Sequence, residues 1–290
     1  MEVINKIVQP IKSEAIMINK SIAIYVFIDD LFKTLGHQKD PRRKFSDAEL
    51  LTTAIISSLY FGGNQDKARI FMKETHLMPD MLDKSRFNRR LHNLEEDISL
   101  LFLRIGHILK EIAACKEFII DSFPIEVCDN IRIARSKLVK GKSYRGWKAS
   151  MRRYFYGIRV HLMTTKTGLP VEFCLVPGHQ GDVNGLHQMP FDLQKGSQVY
   201  ADAGYTAYNL EDCLADEGIE LQVQRKANSK RLTNLSHEYI KKTVRKRIET
   251  TFSEIKGLFL RKIHAVTMRG FLIKVLLFLL AFQINKAYFD

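Results

Sequence analysis

Phe118-Ile119-Ile120-Asp121 and Gln198-Val199-Tyr200-Ala201-Asp202 are two short, largely apolar runs that each end on an aspartate. Runs of this length and composition, bounded by polar sequence, read as buried strands. A third stretch, Arg245-Lys246-Arg247-Ile248-Glu249, lies in a basic segment where Ile240, Val244, Ile248, Phe252, Ile255 and Phe259 recur every three or four residues. That spacing predicts a helix over about 236–258 with one apolar stripe. Glu249 falls at the stripe's border, about 60° around the helix from Phe252.

The sequence around these anchors sets the fold class. Tyr154 to Thr164 and Leu169 to Val176 read as two strands joined at Lys166-Thr167-Gly168. Asp182 is placed to cap a helix over about 183–194. Tyr208 to Glu217 reads as a helix closed by Gly218, followed by a strand from Ile219 to Gln224. A final helix is expected over about 267–288. The alternation predicts an α/β domain with a mixed, five-stranded sheet flanked by helices. It occupies residues 113–290, after an all-helical domain at 1–112. In the first part, Ser46-x-x-Glu49 is a capping box before Leu50 to Tyr60, and Gly62-Gly63 ends that helix. Residues 64–94 could form a helix-turn-helix, with Lys84, Arg86, Asn88, Arg89 and Arg90 on its second helix. A plain helical bundle is the alternative.

Two strand-end aspartates and one helix glutamate can converge. A carboxylate cluster of this kind suits divalent magnesium or manganese held against a phosphodiester. Taken singly, Asp121 and Asp202 could equally be strand caps at turns, and Glu249 half of a surface pair with Arg245. Glu126, Asp129 and Glu254 compete for the same roles.

The 290 residues carry a formal net charge of +13, so a polyanionic partner is expected, either nucleic acid or an anionic membrane. Between Asp129 and Glu172 there is no acidic residue, while Arg132, Arg135, Lys137, Lys140, Lys142, Arg145, Lys148, Arg152 and Arg153 are interleaved with Tyr144, Trp147 and Tyr154. Cations neutralise phosphates and aromatics stack on exposed bases, so this connection is expected to contact DNA rather than to be merely solvated. The apolar run from Phe271 to Phe282 is interrupted by Lys274 and is shorter than the ~18 residues a bilayer span needs. It reads as a core helix, and no membrane partner is expected. Cys115, Cys128, Cys174 and Cys213 lie far apart and form no C-x-x-C, which argues against zinc and for reduced thiols. The N-terminus has no signal-peptide pattern, so the cytoplasm is the expected compartment.

Asp121, Asp202 and Glu249, with Arg245 before the glutamate and Lys256 after it, resemble the catalytic core of DDE transposases from bacterial insertion sequences. Val199 to Tyr205 resembles the strand carrying that family's second aspartate, and Tyr156 to His161 and Gly168 to Pro170 resemble its second and third strands. Pro177 to Asp182 is similar to the segment leading to its first core helix, and Ile248 to Ser253 to its glutamate helix. The resemblance covers roughly residues 118–285. Some of these enzymes carry a tyrosine three residues before the arginine; Lys242 stands there, with Tyr239 one turn earlier.

The resemblance implies an RNase H-like fold with the first and fourth strands side by side. It implies two magnesium ions per site, replaceable by manganese, held by Asp121, Asp202 and Glu249. It implies double-stranded DNA as partner, both as terminal inverted repeats and as target, and at least a homodimer on DNA in a bacterial nucleoid. Arg245 and Lys256 would meet phosphates. A nuclease that cuts without joining and a non-catalytic repressor descended from a transposase are the alternatives.

Overall fold

The computed structural model describes residues 2–129, 136, 138–139, 141–148, 151–226, 229–231, 248–259 and 263–289, with the backbone alone for 2–13 and 129. The chain packs as two compact units: Met1–Leu101 with Leu258–Leu260 and Leu272–Phe289, and Phe102–Gly257 with Arg261–Phe271 and Asp290.

In the first unit, helices α1 (Glu2–Thr34), α2 (Asp47–Tyr60), α3 (Gln65–Glu74) and α4 (Lys84–Asn93) follow one another, and α5 (Glu95–Ile112) leaves it. The capping box forms: Glu49 N donates to Ser46 Oγ at 3.1 Å, and Ser46 N to Glu49 Oε2 at 2.6 Å. Gly62 and Gly63 adopt positive φ after α2, the left-handed geometry glycine adopts without strain. Residues 75–83 join α3 to α4, a longer connection than the three or four residues of a compact helix-turn-helix. The last helix, α9 (Met268–Tyr288), has the length and apolarity to cross a membrane, and two thirds of its most apolar window is buried within the protein. Its Phe278 lies against Phe259 and Gly63, and its Asn285 accepts from Lys20 Nζ at 2.8 Å.

The second unit is built on a six-stranded sheet. Its strands are β1 (Glu117–Asp129), β2 (Arg145–Lys148), β3 (Arg153–Thr165), β4 (Pro170–Pro177), β5 (Ser197–Ala201) and β6 (Ile219–Val223). The order is β2-β3-β1-β5-β6, with β4 also paired to β3. Because β1 occupies one edge of β3, β2 and β4 share the other in succession. The first strand is antiparallel to β3 and parallel to β5, so the sheet is mixed as expected. The sixth strand is β2, which lies in the stretch read from sequence as a polar connection.

β1 also runs eight residues beyond Asp121, through Pro124. A proline lacks the N–H a central strand needs on both edges. Pairing to β5 ends at Ile119, so among the described residues only the β3 edge of β1 is occupied from there, and Pro124 is tolerated. Helix α6 covers only Asp182–Leu186, not the expected 183–194. Asp182 is its first helical residue; Gly181 occupies the cap and makes no side-chain bond. Helix α7 is Tyr208–Asp216, and residues 248–258 are the described part of helix α8. The expected start of α8, with Arg245, lies outside the described residues.

Candidate active site

Parallel pairing of β1 with β5 aligns Phe118 with Val199 and Ile119 with Tyr200. Continued by two residues, this register sets Asp121 opposite Asp202. The hydrogen-bonded pairing stops at Ile119 and Tyr200, so the chains separate where the carboxylates begin. In open α/β sheets a crevice at the carboxyl ends of parallel strands is where ligands bind. Both carboxylates are anchored locally. Asp121 Oδ1 accepts from Ser122 N at 2.7 Å, and Asp202 Oδ1 accepts from Gly204 N at 2.8 Å. Asp202 is thus the cap of the short turn after β5, whereas Asp121 lies within β1, which continues to Asp129.

Helix α8 packs on β1. Phe252 meets Phe123 with ring centroids 4.9 Å apart, and Lys256 Nζ lies 5.7 Å from the Phe123 ring. Thr251 Oγ1 reaches the carbonyl of Gly168, beside the start of β1, where Lys166 N donates to Glu117 O. Back from the Phe123–Phe252 contact, Asp121 is two residues away, about 6.6 Å along a strand. Glu249 is three residues away, about 4.5 Å along a helix. Glu249 is solvent-exposed at the edge of the buried stripe of Ile248, Thr251, Phe252 and Ile255. The Lys256 ammonium is held below the usual lysine range, first by partial desolvation and then by Lys148, with Asp121 opposing the shift. Asp121, Lys148 and Lys256 thus share one electrostatic neighbourhood.

Three residues that sequence reasoning left outside the site lie in it. Ser122 Oγ donates to Asp182 Oδ1 at 2.8 Å, and Arg159 Nη1 approaches the same hydroxyl at 3.5 Å. Beneath them Tyr205 is fully buried, with its hydroxyl 2.8 Å from His161 Nδ1. Burial raises the Tyr205 phenol well above its ordinary value, helped by Asp182 and Asp121 and opposed by a Ser122 hydrogen bond. His161 is pushed down to about 4 by burial, against the pull of Asp182, so it is neutral near pH 7. The available signal for Asp182 was its place in the Pro177–Asp182 stretch. It was read as a helix cap because its partner is 60 residues distant.

The basic segment is only partly described: Arg132, Arg135, Lys137 and Lys140 lie outside the described residues. Lys142 and Arg152 are exposed. Arg145 stacks on Tyr154 at 3.8 Å, and Tyr154 meets Trp147 edge-on at 4.8 Å. Trp147 is 45% exposed and Tyr154 41%, enough free ring to stack on a base. Arg159 Nη2 donates to Trp147 O at 3.1 Å, tying this strand to the Ser122 neighbourhood. The charge here is not wholly unbalanced. Glu126, brought alongside by β1, pairs with Lys148 at 2.9 Å and Arg153 at 3.1 Å. A count along the sequence missed it because the acid comes from another strand.

On α4, Arg86 and Arg89 are exposed, with Arg86 also paired to Asp83. Arg90 turns inward, bonding Phe45 O at 2.7 Å and pairing with Asp47, which makes it a packing residue.

Among the described residues, no three His, Cys, Asp or Glu side chains converge closely enough to hold an ion. Asp121 and Asp202, opposite one another when the β1–β5 register is continued, carry oxygen donors of the kind hard divalent cations take. The family model described as Transposase DDE domain matches residues 113–265, more than half of the chain, and the chain belongs to that family. No curated protein and no solved structure matches it. Membership makes this a transposase domain with DNA as its substrate, in a family that uses divalent metal ions.

Proposed function

We propose that this transposase-domain chain cuts DNA at the ends of a bacterial insertion sequence and joins the freed ends to target DNA. The observation that supports the reading is the β1–β5 register, which points Asp121 and Asp202 toward one another when continued by two residues. Asp121, Asp202 and Glu249 would hold two magnesium ions, or manganese in their place. Ions held there lower the pKa of a water or a DNA 3′-hydroxyl and stabilise the leaving oxygen.

The protein's own groups orient and balance. Ser122 N and Gly204 N fix one oxygen of each aspartate. Lys256 and Lys148 oppose the charge of a phosphate brought beside Asp121. Trp147 and Tyr154 offer exposed ring faces to a base unstacked near the cut. In the first step a water attacks in line, leaving a 3′-hydroxyl on the element end. In the second, that hydroxyl attacks a target phosphodiester, and no protein–DNA bond forms. Two ends must be handled together, so at least a homodimer on DNA follows. Arg245, outside the described residues, would join Lys256 at the phosphates.

The test is incubation of the purified chain with the DNA flanking its gene, in magnesium. Nicking at inverted repeats, followed by joining of the 3′-ends to a second DNA, is expected, with neither step in excess chelator. Cutting without joining would identify a nuclease, and binding without cutting a repressor.

Lys142 and Arg152 are proposed phosphate contacts. Replacing both with alanine should flatten the log–log salt dependence of duplex binding by roughly 0.9 per contact. An unchanged slope would leave them as solvated surface.

A further inference from the structure

One carboxylate touches the supports of both Asp121 and Asp202. Asp182 Oδ1 accepts from Ser122 Oγ at 2.8 Å, and the backbone N–H of Ser122 holds Asp121 Oδ1 at 2.7 Å. Asp182 Oδ2 lies against Gly204, whose N–H holds Asp202 Oδ1 at 2.8 Å. The fit there is close: a methyl group at Gly204 would sit 2.5 Å from Asp182 Oδ2 and 2.9 Å from Asp202 Oδ1. A larger residue there would push the two carboxylates from these positions.

Ser122 on β1 and His161 on β3 are register partners, so both project to the same face of the sheet. His161 is wholly buried, bonded through Nδ1 to Tyr205 OH, and Tyr205 belongs to the same short turn as Gly204. The other ring nitrogen has no hydrogen-bond partner and faces Gly185 so closely that a methyl group there would lie 2.3 Å from it. Gly185 belongs to α6, whose first residue is Asp182. The helix is therefore seated on the His161 ring, and that seat fixes where the Asp182 carboxylate stands. Leaving a buried nitrogen unbonded is unfavourable, so the packing here overrides hydrogen bonding.

We infer that Asp182 is a positioning residue of this site: it bridges Ser122 and the Gly204 turn and so sets the separation and aim of Asp121 and Asp202. The inference rests on the metal-site reading of those two aspartates. Partners that orient metal-binding carboxylates typically matter 10–100-fold in metal affinity or activity when lost. The role requires a hydrogen-bond acceptor at Oδ1, which asparagine also supplies, and does not require the charge.

The test uses the full chain, with manganese binding measured by calorimetry and strand cleavage measured in single turnover. Asp182→Ala and Ser122→Ala should each weaken manganese binding and slow cleavage by roughly 10–100-fold, with DNA affinity and melting temperature near those of the parent. Asp182→Asn should recover most of the loss. The double alanine variant should be no worse than the more damaging single, because both remove the same bond. Parent-like manganese binding and cleavage in Asp182→Ala would overturn the inference. So would Asp182→Asn as damaging as Asp182→Ala, which would mark a charge held directly at the metal, or additive losses in the double variant. Should Asp182→Ala not fold, Ser122→Ala and Asp182→Asn still decide. If Asp121→Ala is also fully active, the metal-site reading itself fails. If Asp121→Ala is inactive while Asp182→Ala is active, only the positioning role fails.

Discussion

Asp121→Ala and Asp202→Ala are each expected to lower single-turnover strand cleavage by about a thousandfold or more, equivalent to ~4 kcal/mol of transition-state stabilisation. The β1–β5 register, continued by two residues, sets Asp121 opposite Asp202, just past the last paired residues. Loss of either leaves one carboxylate at a site that needs several oxygens to hold a divalent cation. DNA binding should survive, and can even tighten, because a negative charge has been removed beside the phosphate path. A capping role alone would predict a different pattern. Loss of an aspartate cap costs ~1 kcal/mol of stability and would spare the rate at temperatures well below melting. Rates and melting temperatures measured on the same preparations separate the two. An active Asp202→Ala enzyme would remove β5 from the chemistry.

Glu249→Ala is expected to match those losses, while Glu254→Ala should stay within a few-fold of the parent. Both glutamates are exposed on α8, so exposure does not choose between them. Angle does. The helix faces β1 through Phe252 and Lys256. At about 100° per residue Glu249 lies about 60° from Phe252, and Glu254 about 160° away on the far side. Glu249 and Lys256, seven residues apart, fall within about 20° of one another, and Lys256 is within electrostatic reach of Asp121. If Glu254→Ala alone abolished cleavage, the helix would have to be rotated by nearly half a turn from the packing described.

Much of this site was legible in the sequence because its markers are local. An apolar run that reaches an aspartate identifies the strand that carries it, though β1 itself continues to Asp129, and the stripe from Ile248 to Phe259 identifies the helix and the border position of Glu249. What sequence could not supply is register. That Asp121 and Asp202 stand opposite one another depends on the pairing of Ile119 with Tyr200, some 80 residues apart. Asp182 went unread as a site residue for the same reason. In sequence it precedes a short helix and resembles a cap; in space its carboxylate serves Ser122 on β1 and the turn after β5. Glu126 was counted apart from the basic segment although β1 carries it to Lys148 and Arg153. Pro124 concealed most of β1, since the open edge that tolerates it is a tertiary feature. Arg90 looked like a DNA contact among its basic neighbours, and its burial against Phe45 and Asp47 becomes visible only when α2 and α4 are packed together.

The central claim is that Asp121, Asp202 and Glu249 surround one divalent-cation site. Iron-directed backbone cleavage tests it without any knowledge of the DNA sequence. Ferrous iron is substituted for magnesium in the full chain, hydroxyl radicals are generated at the metal with ascorbate and peroxide, and the cut positions are mapped. The account predicts cuts clustered beside residues 121, 202 and 249, all suppressed together by excess magnesium and all absent from Asp121→Ala. Cuts missing near residue 249, or cuts that magnesium does not suppress, would contradict it.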